Sequence, residues 1–265
     1  MTTILAMTGV ALELALGGAV LNPWAHQLIH FDLGSGGNPS YPDPTTVLGP
    51  VDPTTGEGLG FPGPVTMFNP PFDTDEILSL GNGGFVTIAF EQTVADRTGS
   101  DFIVFGNAGF FGAAPTFDVH TDPAMLFGAD GSGSTVEVSE NGIDFFPVQG
   151  TVDGLLPTQP WTDSASTLPS DYRMPPPDTL ALGDFSGLDL SSAIALYGGS
   201  AGGMPFDISG SGLGSFQYVR ITNVAAGGDG NLEIDALVIV PEPGPAILLI
   251  LGLCLTFRRT GTRGQ

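Results

Sequence analysis

Acidic residues are the side chains of this sequence best suited to chemistry, and two groups of them are spaced to bind a metal ion. Asp96 and Asp101 stand on either side of the entrance to a predicted strand. Farther along, Asp229 precedes a strand on which Glu233 and Asp235 share one face. Carboxylates and the carbonyl oxygens of Gly-rich loops are the hard ligands that Ca²⁺ prefers. Calcium is therefore the metal hypothesis that these residues favour, although Asx turns and solvated loop ends are the interpretation that we prefer.

Aromatic residues in the predicted loops form a second set of candidates. Trp161 and Tyr172 lie in one long loop, and Phe110 and Phe111 lie in a Gly-rich loop. An exposed aromatic ring in a loop can stack on the flat face of a sugar. We expect sugar contacts at these residues if they are exposed, and core packing if they are buried.

The sequence does not contain a workable catalytic set. Residues 198 to 202 match the G-x-S-x-G pattern of a hydrolase nucleophile after a predicted strand, but no histidine follows Ser200, so the chain order of that triad is impossible. A zinc site is not expected either. His26 and His30 lie near the N-terminus, just after a predicted signal peptide, and His120 has no other histidine or cysteine near it in the sequence. Paired carboxylates could serve a glycosidase, which keeps a secreted hydrolase as an alternative. We predict a protein that is not an enzyme.

The net charge of the central part of the chain is strongly negative. Residues 26 to 240 contain 26 acidic residues and three arginines, and the whole chain has no lysine. A surface of this charge repels DNA and RNA, so nucleic acid is excluded as a partner. The single cysteine, Cys254, lies in a C-terminal apolar run, so the body of the protein, residues 26 to 240, can form no disulfide. An exported domain of this kind must rely on core burial or on bound metal.

Short alternating runs between Gly and Pro residues predict an all-β fold. In the first run Val86, Ile88 and Phe90 share one face. Two segments, residues 34 to 76 and 150 to 180, are rich in proline and must run as long loops, because proline cannot join a central strand. We therefore predict a β-sandwich with long Gly/Pro-rich loops. The predicted strands are residues 85–90, 101–105, 135–139, 143–148, 194–197, 216–224 and 232–240.

Several short segments of the body follow one another in a fixed order, including residues 101 to 105, Asn141-Gly142 before an aromatic pair, residues 218 to 221 and residues 234 to 236. This order resembles that of galactose-binding-like jelly-roll modules of secreted bacterial proteins. The resemblance implies a jelly roll over roughly residues 80 to 240 and, as an alternative function, a calcium-stabilised carbohydrate-binding module. Asn-Gly is also typical of a two-residue type I′ hairpin turn.

The C-terminal residues have the order of a sorting tail. Its parts are the motif Pro241-Glu242-Pro243, the apolar run from 246 to 257, and the arginines Arg258, Arg259 and Arg263. The prolines keep the motif extended and out of any helix. The apolar run predicts a hydrophobic helix, although it is shorter than the roughly 20 residues of a comfortable membrane span. The positive charge behind it stays in the cytoplasm, which places the body outside.

This tail resembles the sorting tails of PEP-CTERM proteins, which a membrane protease and transferase called exosortase reads in Gram-negative bacteria. The resemblance implies an inner-membrane intermediate, cleavage near Pro-Glu-Pro, and delivery to the cell surface or an exopolysaccharide matrix. An anchor that is never removed is the alternative.

The two ends of the chain define the predicted organisation. The apolar stretch from residue 4 to 21 predicts a signal peptide within residues 1 to 25, with a buried helix as the alternative. Residues 26 to 240 would then form the body, and residues 241 to 265 the sorting tail. Together these features predict an exported structural or adhesive protein whose partners are an exosortase-type enzyme, the membrane before processing, and exopolysaccharide.

Overall fold

The computed structural model describes residues 22–113, 118–119, 126–127, 133–150, 156–224 and 230–241. Within them the regular structure consists mainly of antiparallel strands, with one short α-helix and two 3₁₀ helices, Leu182–Phe185 and Ser209–Ser211. The elements are β1 (Ala25–Asp32), β2 (Thr54–Thr55), β3 (Gly63–Pro64), β4 (Leu78–Leu80), β5 (Phe85–Ala95), β6 (Phe102–Val104), β7 (Gly109–Phe110), β8 (Gly112–Ala113), β9 (Asp118–Val119), β10 (Leu126–Phe127), β11 (Ser134–Ser139), β12 (Phe146–Pro147), α1 (Leu190–Leu196), β13 (Met204–Phe206), β14 (Ser215–Asn223), β15 (Leu232–Ile234) and β16 (Leu237–Ile239).

Two layers of strands enclose the main core. One layer is a five-stranded sheet in the order β1-β5-β14-β11-β12. The other contains the three-stranded sheet β13-β6-β16 and the β4–β15 pair. Buried side chains of both layers form one hydrophobic cluster, in which Val86, Ile88 and Phe90 of β5 contribute the face that the alternating pattern predicted. The prediction of a mostly β fold is therefore confirmed.

Three phenylalanines connect the two layers. Phe102 stacks on Phe206 with ring centroids 5.1 Å apart, and it contacts Phe216 with centroids 5.3 Å apart. All three side chains are at most 1% exposed. Full burial of an aromatic side chain contributes roughly 1.5–3 kcal/mol to folding. These rings are a main source of stability in a body without cysteine.

The strand predicted at residues 194 to 197 is wrong, because this segment belongs to helix α1. Asp189 caps the helix, its Oδ1 accepting a hydrogen bond from Ser192 N at 2.7 Å. The helix buries Ala193 and Ile194 against a second apolar cluster that includes Phe185. At seven residues α1 is too short for the sequence to reveal a helical period.

The hairpin turn predicted at Asn141-Gly142 is also different. A type I′ turn needs positive φ at both residues, whereas only Gly142 has it, at +72°. Asn141 instead accepts hydrogen bonds from Ile143 N and Asp144 N through its Oδ1, which makes an Asx turn. The loop is therefore longer than two residues, and only Phe146–Pro147 of the predicted following strand pairs with β11.

The last predicted strand, residues 232 to 240, is divided between two partners. Its first part, β15, pairs with β4, and its second part, β16, pairs with β6. Asp235 lies at the division, where its N–H donates to Phe105 O at 2.9 Å and Phe105 N–H donates to Ala236 O at 2.8 Å. A carboxylate is thereby placed inside the protein, where the chain crosses from one strand pair to the next.

We expect Phe102→Ala to lower the free energy of unfolding by about 3–5 kcal/mol, because it leaves a cavity between the layers. Ile143→Ala is the control, since this side chain is 80% exposed and a surface change of this kind alters the free energy by less than about 0.5 kcal/mol. Urea unfolding measures both. Equal, small losses would contradict a core that spans the two layers.

Candidate functional site

Three carboxylates meet where β5 leads into β6. Asp96, Asp101 and Asp207 each place a carboxylate oxygen within 4.8 Å of those of the other two. Asp96 and Asp101 are the pair that the sequence indicated, whereas Asp207 was missed. It joins them because β13 pairs with β6 and sets Phe206 opposite Phe102. Only that strand pairing brings Asp207 to the site, and the local spacing of residues in the sequence does not indicate it.

Asp101 is the fixed member of this first cluster. Its Oδ1 accepts a hydrogen bond from Arg97 N at 3.1 Å, and its Oδ2 accepts one from Ile208 N at 2.9 Å. Burial raises the pKa of Asp101, these hydrogen bonds partly offset the rise, and the charges of Asp96 and Asp207 add to it. The group is therefore poised to hold either a proton or a cation.

Asp96 has a carboxylate oxygen in the first cluster that no other group contacts by a hydrogen bond among the described residues. Its Oδ1 is inaccessible to solvent and has no hydrogen-bond partner among the described residues. An inaccessible charged oxygen without a partner is costly. A hard divalent cation between the three carboxylates would satisfy it, and carboxylate oxygens are the donors that such an ion takes.

A second carboxylate cluster lies in the long loop before β4. Glu57, Asp73 and Glu76 also place carboxylate oxygens within 4.8 Å of one another. Asp73 is held by its Oδ2, which accepts hydrogen bonds from Gly56 N at 2.9 Å and from Gly58 N at 3.0 Å. The sequence prediction did not include this cluster, because its members come from two parts of a loop that no periodic pattern describes.

Glu76 is fixed even more firmly. Its Oε2 accepts hydrogen bonds from Thr55 Oγ1 at 2.6 Å, from Phe72 N at 2.9 Å and from Asp73 N at 2.9 Å. Burial raises the pKa of Glu76, with the charge of Asp73 adding to the rise, although these hydrogen bonds favour the ionised form. The Oε2 of Glu76 thus accepts the hydrogen bonds of the loop, and its Oε1 could bind an ion.

Asp235 is a buried carboxyl group whose electrostatic neighbours include the second cluster. Its side chain is 3% exposed, and its Oδ2 has no hydrogen-bond partner among the described residues. Burial raises its pKa well above the ordinary value, and the charges of Glu76 and Asp52 raise it further. The buried, unpartnered oxygen of Asp235 therefore favours the protonated form or a nearby cation.

The metal site predicted from Asp229, Glu233 and Asp235 is not assembled in the described part of the chain. Asp229 lies outside the described residues, and the Oε2 of Glu233 accepts a hydrogen bond from Asn107 Nδ2. Asp235 couples instead to Glu76. Among the described residues, neither Glu233 nor Asp235 belongs to a group of carboxylates close enough to share a metal ion.

The aromatic candidates have different outcomes. Phe110 is 2% exposed and packs on Phe185 with centroids 4.9 Å apart, so its prediction as a sugar-stacking residue is wrong. Tyr172 is half-buried and packs edge-on against Trp24 at 5.6 Å. Trp161 is also half-buried, with its Nε1 inaccessible. Phe111, at 44% exposure, is the most exposed of the four aromatic candidates.

The G-x-S-x-G segment is a Gly-rich loop that follows a helix instead of the predicted strand. Ser200 is buried, and its Oγ accepts a hydrogen bond from Gly202 N at 3.0 Å. The segment continues into β13, whereas a nucleophile elbow continues into a helix. His26 and His30 lie in β1, and His120 is outside the described residues.

The sorting motif is described only at its first residue. Pro241 is exposed and follows β16 by two residues. Glu242, Pro243 and the predicted C-terminal helix lie outside the described residues, as do the following arginines. Among the helices that the structure describes, none is long and apolar enough to cross a membrane. The predicted basic residues are Arg258, Arg259 and Arg263.

Comparison with known proteins does not assign the chain to a family. No protein-family model matches the chain, and no curated protein matches it. Among solved structures, the chain is similar to the carbohydrate-binding module CBM32-3 from a family 31 glycoside hydrolase of Clostridium perfringens. The two share 10% identity at a TM-score of 0.27, over 63% of this chain and 75% of that one. A likeness this weak carries no argument about function.

Calcium should raise the thermal midpoint of the protein by about 3 to 8 °C at millimolar concentration, because an ion that binds the native state alone stabilises it by mass action. Asp96→Asn keeps the side-chain shape and removes one charge from the first cluster. It should raise the midpoint without calcium and reduce the calcium-dependent rise. The matched control is Asp178→Asn, at an exposed residue outside both clusters. A rise below about 2 °C in the wild type would contradict the cation sites.

Without calcium, the protein should lose stability as the pH rises from about 4, the ordinary carboxyl pKa, through the raised pKa values of its buried carboxyl groups. Glu76, Asp101 and Asp235 have raised pKa values in the folded state. Between their ordinary pKa values, near 4, and the raised ones, the folded chain holds protons that the unfolded chain has released, so each increase in pH favours unfolding. Calorimetry of metal-free protein measures this effect, which Asp235→Asn should weaken. A midpoint that increases over the same pH range would refute the prediction.

Proposed function

We propose that this protein is an exported, non-enzymatic protein of the cell surface or extracellular matrix, with a structural or adhesive role. The observation that carries the proposal is the order of the C-terminal tail, in which Pro241-Glu242-Pro243 precedes a short apolar run and a group of arginines. In this proposal an exosortase-type membrane enzyme reads the tail and releases the body near the motif. The last strand that the structure describes ends at Ile239, two residues before the motif begins.

The body suits an extracellular environment. It consists mostly of antiparallel strands, has no cysteine, and places carboxylates in two clusters. Extracellular modules commonly bind calcium with dissociation constants of about 10⁻⁴–10⁻³ M. We propose that calcium at these clusters gives the exported body the stability that disulfides give other secreted domains. The ion has a structural role, and the body needs no catalytic residue.

Carbohydrate binding is a second candidate function, and one loop favours it. The loop from Gly56 to Gly63 exposes Phe61 by 81% and Leu59 by 67%. Its base is held by the hydrogen bonds from Gly56 N and Gly58 N to Asp73. A fixed loop with an exposed ring can stack on a sugar of an exopolysaccharide. This loop replaces the buried aromatic candidates of the sequence analysis.

The sorting proposal predicts that the full chain is cut near Pro241 in cells that contain an exosortase. Mass spectrometry of the protein recovered from the cell surface or medium should show a body without the apolar run. In a strain without the enzyme the protein should keep its tail and remain in the membrane fraction. Replacing Pro241-Glu242-Pro243 by three alanines should reproduce that result in the normal strain. Identical masses in both strains would disprove sorting by this tail.

Carbohydrate binding has its own test, a glycan array probed with the intact protein in calcium. Phe61→Ala should remove any signal if the exposed loop is the binding site, and Ile143→Ala, at another exposed apolar residue, should leave it unchanged. Silence of the wild-type protein on all glycans would leave the structural role as the better description of the body.

A further inference from the structure

Three oxygen-bearing side chains meet on the face of the β4–β15 pair that points away from the main core. Ser79 of β4 stands directly opposite Glu233 of β15, so their side chains lie next to each other on this face. Asn107 reaches the same place from the turn after β6, where its Nδ2 donates a hydrogen bond to Glu233 Oε2. The strand residues that alternate with this pair face the main core instead, namely Leu78, Leu80, Leu232 and Ile234.

Main-chain hydrogen bonds hold these segments together. Ser79 N–H donates to Tyr41 O at 3.0 Å, which fixes β4 on the side away from β15. The turn that carries Asn107 is fixed to the end of β15, because Phe105 O accepts a hydrogen bond from Asp235 N at 2.9 Å. The meeting of the three side chains therefore follows from the backbone of the fold.

Two oxygens of this group have no hydrogen-bond partner among the described residues. They are Ser79 Oγ and Asn107 Oδ1, and solvent reaches neither of them. Ser79 is 0% exposed, whereas Asn107 and Glu233 are half-buried. A buried oxygen without a partner destabilises the folded state, and such oxygens are rare in proteins unless a ligand satisfies them. A ligand that contacts both oxygens would remove this cost.

We propose that Ser79 Oγ, Asn107 Oδ1 and the carboxylate of Glu233 bind one calcium ion, at a site separate from the two carboxylate clusters. Carboxylate, amide and hydroxyl oxygens are hard donors, and Ca²⁺ takes about six to eight of them in flexible geometry. Because two of the three side chains are half-buried, the site lies just beneath the surface, where an ion can enter. The inference holds whether or not the two clusters bind calcium.

The tight packing of this group favours calcium over water and over magnesium. A water molecule would lie about 2.7–2.8 Å from each oxygen, and solvent does not reach Ser79 Oγ or Asn107 Oδ1. Calcium binds oxygen at about 2.3–2.6 Å, so the ion fits a space that is too tight for water. Magnesium usually keeps several of its waters, which such a space excludes.

The surrounding charge also favours a cation. The carbonyl of Tyr41 accepts the hydrogen bond from Ser79, and the pKa of Tyr41 is raised by burial and by the charges of Glu233, Asp73 and Glu76. These carboxylates make the potential at the site negative, and the net charge of −22 attracts cations to the whole protein. Within the three-residue group, Glu233 carries the charge that attracts the ion.

Equilibrium dialysis of the intact protein against millimolar calcium counts the ions bound per chain and tests the site. Glu233→Gln keeps an acceptor for Asn107 Nδ2 but removes the charge, so it should lower the count by one ion. The matched control is Glu140→Gln, at an exposed residue outside the site, which should leave the count unchanged. Magnesium at the same concentration should not displace the ion that depends on Glu233.

Ser79→Ala tests the same site without changing any charge. It removes a buried oxygen that lacks a partner, so the calcium-free variant should fold with a thermal midpoint equal to or above that of the wild type. Its calcium affinity at this site should fall by about tenfold or more, since even residues that only position a ligand change metal affinity by roughly 10–100-fold. Ser170→Ala is the control, because Ser170 Oγ is also buried without a partner but lies in a different loop. It should leave the calcium affinity unchanged.

An ion count that stays the same in Glu233→Gln, with the fold intact by circular dichroism, would overturn the site. An unchanged calcium affinity in Ser79→Ala would also overturn it, and this variant decides alone if Glu233→Gln does not fold. The count separates this site from the clusters. A wild type that binds one ion, lost in Glu233→Gln and kept in Asp96→Asn, would support this site and refute the cluster sites.

Discussion

Repulsion between carboxylates that the fold brings together is the constraint on which the rest of this structure depends. Each cluster holds three acidic groups with oxygens within 4.8 Å. Two unit charges at that distance repel by about 3 kcal/mol at the effective dielectric constant of a protein surface. A hydrogen bond to a charged group contributes about 1.5–3 kcal/mol net. The hydrogen bonds that hold Asp73, Glu76 and Asp101 therefore offset part of the repulsion, and a proton or a cation would relieve the remainder.

The protein has few positive charges of its own for this purpose. It contains no lysine, and Arg220 pairs with Glu137 on the five-stranded sheet. Protons can neutralise Asp101, Glu76 and Asp235, whose pKa values are raised, but only while the pH stays below those values. Calcium would do the same at neutral pH, in agreement with the proposed export of the body. The acidic composition and the absence of cysteine from residues 26 to 240 are consistent with that proposal.

The sequence predicts the fold better than it predicts the site, for physical reasons. The alternation of Val86, Ile88 and Phe90 is a local pattern, and it identifies β5 correctly. Helix α1 is missed because a seven-residue helix has no measurable period. Asp96 and Asp101 are close in sequence and could be paired, whereas Asp207 joins them only through the β6–β13 pairing. Likewise, Asp235 lies where the chain passes from the β4–β15 pair to the β6–β16 pair, and no spacing in the sequence indicates this change of partner.

Calcium binding measured by isothermal titration calorimetry, in buffers that differ in ionisation enthalpy, tests the neutralisation of these carboxylates most directly. We predict that the intact protein binds calcium with a dissociation constant of about 10⁻³ M or tighter. Binding should also release protons at a pH above the ordinary carboxyl pKa, near 4, because the cation displaces them from carboxyl groups with raised pKa values. A flat titration at millimolar calcium would contradict the cation sites, and binding without proton release would contradict the protonation that burial imposes on these groups.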